Sequence, residues 1–96
     1  MRRYVLTKEA ESALDSQIDY LIAQGAQTAA QNLLNRIHNF LADTLCQFPA
    51  TGRHLMLRDL WEIWIPGTRQ ILWYRFDEQI VTVIATWHTS QNRSVN

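Results

Sequence analysis

Ile71-Leu72-Trp73-Tyr74-Arg75-Phe76-Asp77-Glu78-Gln79-Ile80-Val81-Thr82-Val83-Ile84-Ala85-Thr86-Trp87 decides the fold. Two runs of aromatic and branched residues, types that fit a pleated surface, flank the polar break Asp77-Glu78. A link this short has no room for a parallel crossover, so the two runs predict antiparallel neighbours. Just upstream, Trp61-Glu62-Ile63-Trp64-Ile65 has the same character, and Pro66-Gly67 supplies a turn. Together the three runs predict a three-stranded antiparallel meander.

Alternation within that meander is informative. An antiparallel sheet with one wet face reads apolar-in, polar-out. Strict alternation puts Val81, Val83, Ala85 and Trp87 on one face of the last strand and Ile80, Thr82, Ile84, Thr86 and His88 on the other. The preceding strand divides into Ile71, Trp73 and Arg75 against Leu72, Tyr74 and Phe76. Large apolar groups therefore stand on both faces. Two readings remain open: a crowded sheet covered by loops, or a concave surface meant for a partner.

Moving toward the N-terminus, the period changes. Phe48-Pro49-Ala50-Thr51-Gly52-Arg53 reads as a stop followed by a loop at Thr51-Gly52-Arg53, because proline disfavours helical geometry in the residue before it. Before it, Ala30, Leu33, Leu34, Ile37, Leu41 and Leu45 recur at helical spacing from roughly Gln27 to Gln47, with Phe40 and Phe48 at the border. Gln31, Asn32, Asn35, Arg36 and Asn39 occupy the opposite side. An earlier stripe of Ala10, Leu14, Ile18, Leu21 and Ile22 predicts a first helix, N-capped by Thr7 and closed by Gly25. Glu9 and Glu11 suit the positive end of its dipole. Tyr4 and Val5 place a short strand at Arg2 to Leu6. The order is strand, helical hairpin, then the meander: an α+β arrangement with helices on one face of a sheet.

A chain of 96 residues is read as a single domain spanning 1–96, since it has no room for two cores. No apolar run approaches the roughly 18–20 residues that cross a bilayer. The basic start is interrupted by Lys8, Glu9 and Glu11 before a signal-peptide core forms, so a cytoplasmic location is expected. Cys46 is the single cysteine, which excludes an internal disulfide. It stands among apolar neighbours and reads as a small buried residue. His38, His54 and His88 have no metal-ligand spacing with it or with each other, and no glycine loop suits a phosphate, so neither metal nor organic cofactor is expected. Nine basic and nine acidic residues cancel, and eight of the basic ones are Arg. That balance argues against stable direct nucleic-acid binding by bulk charge. Arg in preference to Lys suits planar, bidentate contacts at a defined surface.

Several segments, in this order, resemble the RelE/ParE toxins of bacterial type II toxin–antitoxin systems over nearly the whole chain. They are Ala10 through Ile22; Ala29-Ala30 leading to Arg36-Ile37; Phe48-Pro49-Ala50-Thr51-Gly52-Arg53; Ile65-Pro66-Gly67-Thr68-Arg69 followed by Trp73-Tyr74-Arg75; and Thr86-Trp87-His88 followed by Gln91-Asn92-Arg93. The resemblance implies a RelE/ParE-like fold and a cognate antitoxin as partner. It implies two different activities. RelE-like members cut messenger RNA on the ribosome; ParE-like members bind DNA gyrase and block it without chemistry of their own.

RNA cleavage through the 2′-hydroxyl needs a base, an acid and cations on the phosphate. Arg69 and His88 match positions that carry a phosphate-binding Arg and a His in some nuclease members. The stretch Gly52 to Leu57 lacks the carboxylate that some nuclease members place there. Thr89 stands where a catalytic Tyr is often found. A binder needs only a complementary surface, and Trp and Arg are enriched at binding hot spots. Arg53, Arg58, Arg69, Trp73, Arg75 and Trp87 are the expected partner-binding residues. The reading is a gyrase-inhibiting toxin of ParE type, held in check by an antitoxin and serving growth arrest and plasmid stabilisation. The alternatives are a RelE-like ribosome-dependent endonuclease and a non-toxic relative that only binds the antitoxin.

Overall fold

The computed structural model describes residues 2–89, so the Gln91-Asn92-Arg93 segment and the polar tail beyond Thr89 lie outside the described residues. The elements are β1 (Arg3–Leu6), α1 (Lys8–Ala23), α2 (Gln27–Phe40), β2 (Arg53–Leu55), β3 (Leu60–Trp64), β4 (Gln70–Phe76) and β5 (Ile80–His88). They form a five-stranded sheet in the order β1-β5-β4-β3-β2. The meander β3-β4-β5 is present and antiparallel, and β2 extends it by pairing Arg53 with Glu62. Arg53 thus begins a strand rather than ending a loop. The first strand takes the remaining edge, parallel to β5, with Tyr4 opposite Val81.

Local chemistry accounts for the joints. Thr7 accepts a hydrogen bond from the Ala10 amide at 3.2 Å, capping α1, and donates to the Ile84 carbonyl at 3.0 Å. Gly25 takes φ 77° as α1 ends, where a Cβ would be strained. The second helix is α-helical only to Phe40. Leu41–Leu45 continue it as a π segment, closed by the Cys46 amide on the Leu41 carbonyl at 2.9 Å. At the β3–β4 corner, Thr68 N–H donates to the Ile65 carbonyl at 3.1 Å, with Pro66 and positive-φ Gly67 in the middle, the signature of a type II turn. At the β4–β5 corner, Asp77 Oδ1 accepts from the amides of Gln79 and Ile80 at 2.8 and 2.9 Å. Those two bonds hold the Asp77 carboxyl below its ordinary range.

The helical hairpin covers one face. Ala10, Leu14 and Ile18 from α1, and Ala30 and Ile37 from α2, pack with Leu41, Leu45, Leu72, Tyr74, Val81 and Val83. The stripes predicted from periodicity supply this core, while Ile22 and Phe48, at their margins, are exposed. Cys46 is buried in the same cluster, and burial pushes its thiol up, the opposite of what a nucleophile needs.

Strict alternation fails in β5. Tyr74 pairs with Val83, but Trp73 pairs with Ala85, which leaves Ile84 as an extra residue, a β-bulge. Beyond it the faces exchange. Thr86 and His88 lie on the hairpin side with their partners Leu72 and Gln70, and Ala85 and Trp87 lie on the opposite side with Trp73 and Ile71. The assignment of Val81, Val83, Ala85 and Trp87 to one face is therefore corrected: the first two enter the core and the last two leave it. The carbonyl at the bulge is the one that receives the Thr7 hydroxyl.

Candidate functional site

On the sheet face away from the hairpin, five of the six expected partner-binding residues come together. Trp73 meets Trp87 edge to face, with ring centroids 4.7 Å apart. The Arg58 guanidinium lies over Trp73 at 5.1 Å from its centroid. Arg75 donates through Nε to the Asp59 carbonyl at 2.9 Å, which ties β4 to the Met56–Arg58 turn. Arg53 donates to Glu62 Oε1 at 2.9 Å, and Trp73 Nε1 donates to Glu62 Oε2 at 2.8 Å.

Glu62 is the residue that sequence reasoning missed as a centre. It entered only within the run Trp61-Glu62-Ile63-Trp64-Ile65 and as one of the nine acids that cancel the basic residues. In the fold it is buried, 8% exposed, and one carboxylate joins an Arg and an indole on neighbouring strands. Such a carboxylate inside the sheet needs both donors, because burial without partners is costly. The alternation of Trp61-Glu62-Ile63 places Glu62 opposite the core, but only the strand order puts Arg53 and Trp73 on either side of it.

The Phe-Pro-x-x-Gly-Arg segment anchors to this region through Tyr74. The Tyr74 hydroxyl donates to the Pro49 carbonyl at 2.5 Å and accepts from the Gly52 amide at 3.2 Å. A Cβ on Gly52 would stand 2.7 Å from the Glu62 carbonyl, so glycine is required by close approach of the backbone. Burial pushes the Tyr74 hydroxyl up to about 12.

Arg69 departs from the other five. It lines a cleft of about 890 Å³ between the hairpin and the β4–β5 end of the sheet, where His88 also lies. The two are close in the backbone: Gln70 pairs with His88, and the Thr89 amide donates to the Arg69 carbonyl at 2.7 Å. Arg36 from α2 lines the same cleft, with its guanidinium over Gly67. The floor is polar, with Gln17 donating to Gln70 at 2.5 Å and Gln70 donating to Thr86 at 3.0 Å. Among the described residues, no carboxylate lines this cleft. Arg36 was placed on the polar side of α2 by periodicity; its sharing a cleft with Arg69 depends on the approach of α2 to the turn at Gly67. Among the described residues, no group of three or more His, Cys, Asp or Glu side chains is arranged to hold a metal ion. No described helix is long and apolar enough to cross a membrane.

Comparison with known proteins places this geometry in a family. The fold is similar to a solved structure described as "Chromosomal ParDE TA system from P. aeruginosa", with a TM-score of 0.74 over 92% of this chain and 95% of that one. At 14% identity this likeness establishes the fold. No curated protein matched the sequence. The family model described as "ParE toxin of type II toxin-antitoxin system, parDE" matches residues 4–93, from the first strand to beyond the last. The chain belongs to the ParE toxin family of type II toxin–antitoxin systems.

Proposed function

We propose that residues 1–96 act as one cytoplasmic toxin domain that arrests growth by binding DNA gyrase, and that a cognate antitoxin neutralises it. One observation carries this reading: the face opposite the hairpin presents Trp73, Trp87, Arg53, Arg58 and Arg75 as a contiguous aromatic and cationic surface. Such a surface suits a protein partner, since Trp and Arg dominate binding hot spots. Its one buried carboxylate, Glu62, is engaged by Arg53 and Trp73 and not placed as an acid or base. The toxin then has no chemistry of its own and needs no cofactor. Plasmid stabilisation follows when loss of the antitoxin frees the toxin.

The test is a supercoiling assay with purified toxin beside a ribosome-bound messenger RNA assay. Inhibition of supercoiling with intact messenger RNA is the expected result. A second reading, RelE-like cleavage on the ribosome, is favoured by the shared cleft of Arg69 and His88. Site-specific cuts lost on His88→Ala or Arg69→Ala would establish it in place of gyrase binding. Absence of any growth defect on induced expression would leave only a non-toxic antitoxin-binding relative.

The antitoxin segment is proposed to cover the open sheet face and part of the hairpin, folding as it binds. A small domain has little stability to spare, and a partner that binds only the folded state adds roughly 4 kcal/mol at a thousandfold excess over Kd.

A further inference from the structure

The cleft between the hairpin and the β4–β5 end holds cations without counter-charges. Arg36 and Arg69 both line it, and among the described residues neither has an ion pair or a side-chain hydrogen bond. The salt bridges of the described residues lie elsewhere, at Arg53–Glu62 and His54–Asp59. Two guanidinium groups at one site, with no carboxylate among the described lining residues, call for an anion carrying more than one charge.

The remaining walls narrow the class. Leu21 and Leu33 give apolar surface, and Tyr20, which also lines the cleft, is 64% exposed and so supplies an aromatic ring within reach of a ligand. Asn32 presents an amide that can pair with the edge of a heterocycle. A cleft of about 890 Å³ falls within the usual range for small-molecule sites, roughly 300–1,000 Å³. The Arg36 guanidinium lies over the turn at Gly67: a Cβ there would stand 2.6 Å from Arg36 Nη1, so glycine leaves it room.

We infer that this cleft is a binding site for a nucleoside polyphosphate, with Arg36 and Arg69 on the phosphates and the base against Tyr20. This site is separate from the open sheet face, and the inference holds whichever target the toxin has. The polyphosphate is the chemistry that matches two guanidiniums; the ring matches Tyr20 and the Asn32 amide.

Titration of the purified full chain with ADP, inorganic pyrophosphate, adenosine and a short oligoribonucleotide tests it. ADP should bind saturably, pyrophosphate more weakly, and adenosine not measurably. Arg36→Gln and Arg69→Gln should each weaken ADP by tenfold or more, the scale of a lost charge-assisted contact. Tyr20→Ser, at an exposed position, should weaken ADP while leaving pyrophosphate unchanged. Arg3→Gln, the same charge change on β1, should have no effect. Should an arginine variant fail to fold, amide shifts in the unaltered protein decide: ADP should move Gly67, Gln70 and Thr86. No saturable ADP binding, an equal loss in Arg3→Gln, shifts outside the cleft, or tighter binding of the oligoribonucleotide than of ADP would each overturn the inference.

Discussion

On the hairpin side of the sheet, Leu72, Tyr74 and Val83 are sealed in hydrocarbon, each 1% exposed or less. On the other side, Trp73 and Trp87 are half-buried and meet edge to face; Trp73 donates to Glu62 and lies under Arg58, while Arg53 donates to the same Glu62 and Arg75 to a backbone carbonyl of the 56–59 turn. The same strands serve both. The first face derives its stability from area removed from water, which is non-directional. The second derives its order from directed bonds among its own side chains, which are worth less but fix geometry. A partner on the open face meets preset aromatic edges and cations, while the helices meet mainly shape and volume, with Gln17–Gln70 a polar contact at one end.

The sharpest way to break that contrast is Leu72→Ala. A buried leucine on the hairpin side should cost about 2–5 kcal/mol, read from the denaturant midpoint at constant m value. A smaller loss than from any open-face substitution would show that the core is not where stability resides.

Tyr74 belongs to the buried face yet carries polar bonds, and Tyr74→Phe should cost roughly 1–3 kcal/mol by stranding the Pro49 carbonyl and Gly52 amide. The hydroxyl's folded-state value, about 12, lies above its ordinary 10.0. A raised value means the contribution is complete below pH 10 and lost as pH rises from about 10 to about 12. Stability should fall by on the order of 2–3 kcal/mol across that window, and Tyr74→Phe should lack this component. A variant with the same alkaline slope as the parent would assign the transition to another group.

Arg75→Glu probes the open face. Fold stability should stay nearly constant, while antitoxin affinity should drop by roughly 1 kcal/mol, about fivefold, as expected for an exposed charge. Calorimetry returning an unchanged affinity would place Arg75 outside the interface. Phe48→Ser marks the lower limit: Phe48 is 65% exposed, so its replacement should move stability by no more than about 0.5 kcal/mol. A larger loss would mean that the apolar stripe of the second helix extends further than the buried face shows.

Much of this was legible before any fold. Thr7, Gly25, Pro49 and Pro66-Gly67 act within a few residues of themselves, and the two apolar stripes repeat at a spacing that only a helix brings to one side. The meander followed from the brevity of its links. Hot-spot composition grouped Arg69 with the other partner-binding residues, yet the fold sends it to the cleft with His88, the residue the resemblance had set beside it.

The sequence by itself determined the first strand, the two helices, the three meander strands, their order and the closing turns, because these depend on near neighbours along the chain; the short β2 at Arg53–Leu55 escaped it. Tertiary structure alone decided that Ile84 bulges and sends Trp87 to the open face, that Glu62 lies between Arg53 and Trp73, and that Arg36 and Arg69 line one cleft beside the Gly67 turn. Each depends on cross-strand register or on the approach of a helix to a turn. A one-residue slip in register turns every later side chain to the opposite face, and the local period of a strand reads the same on either side of it.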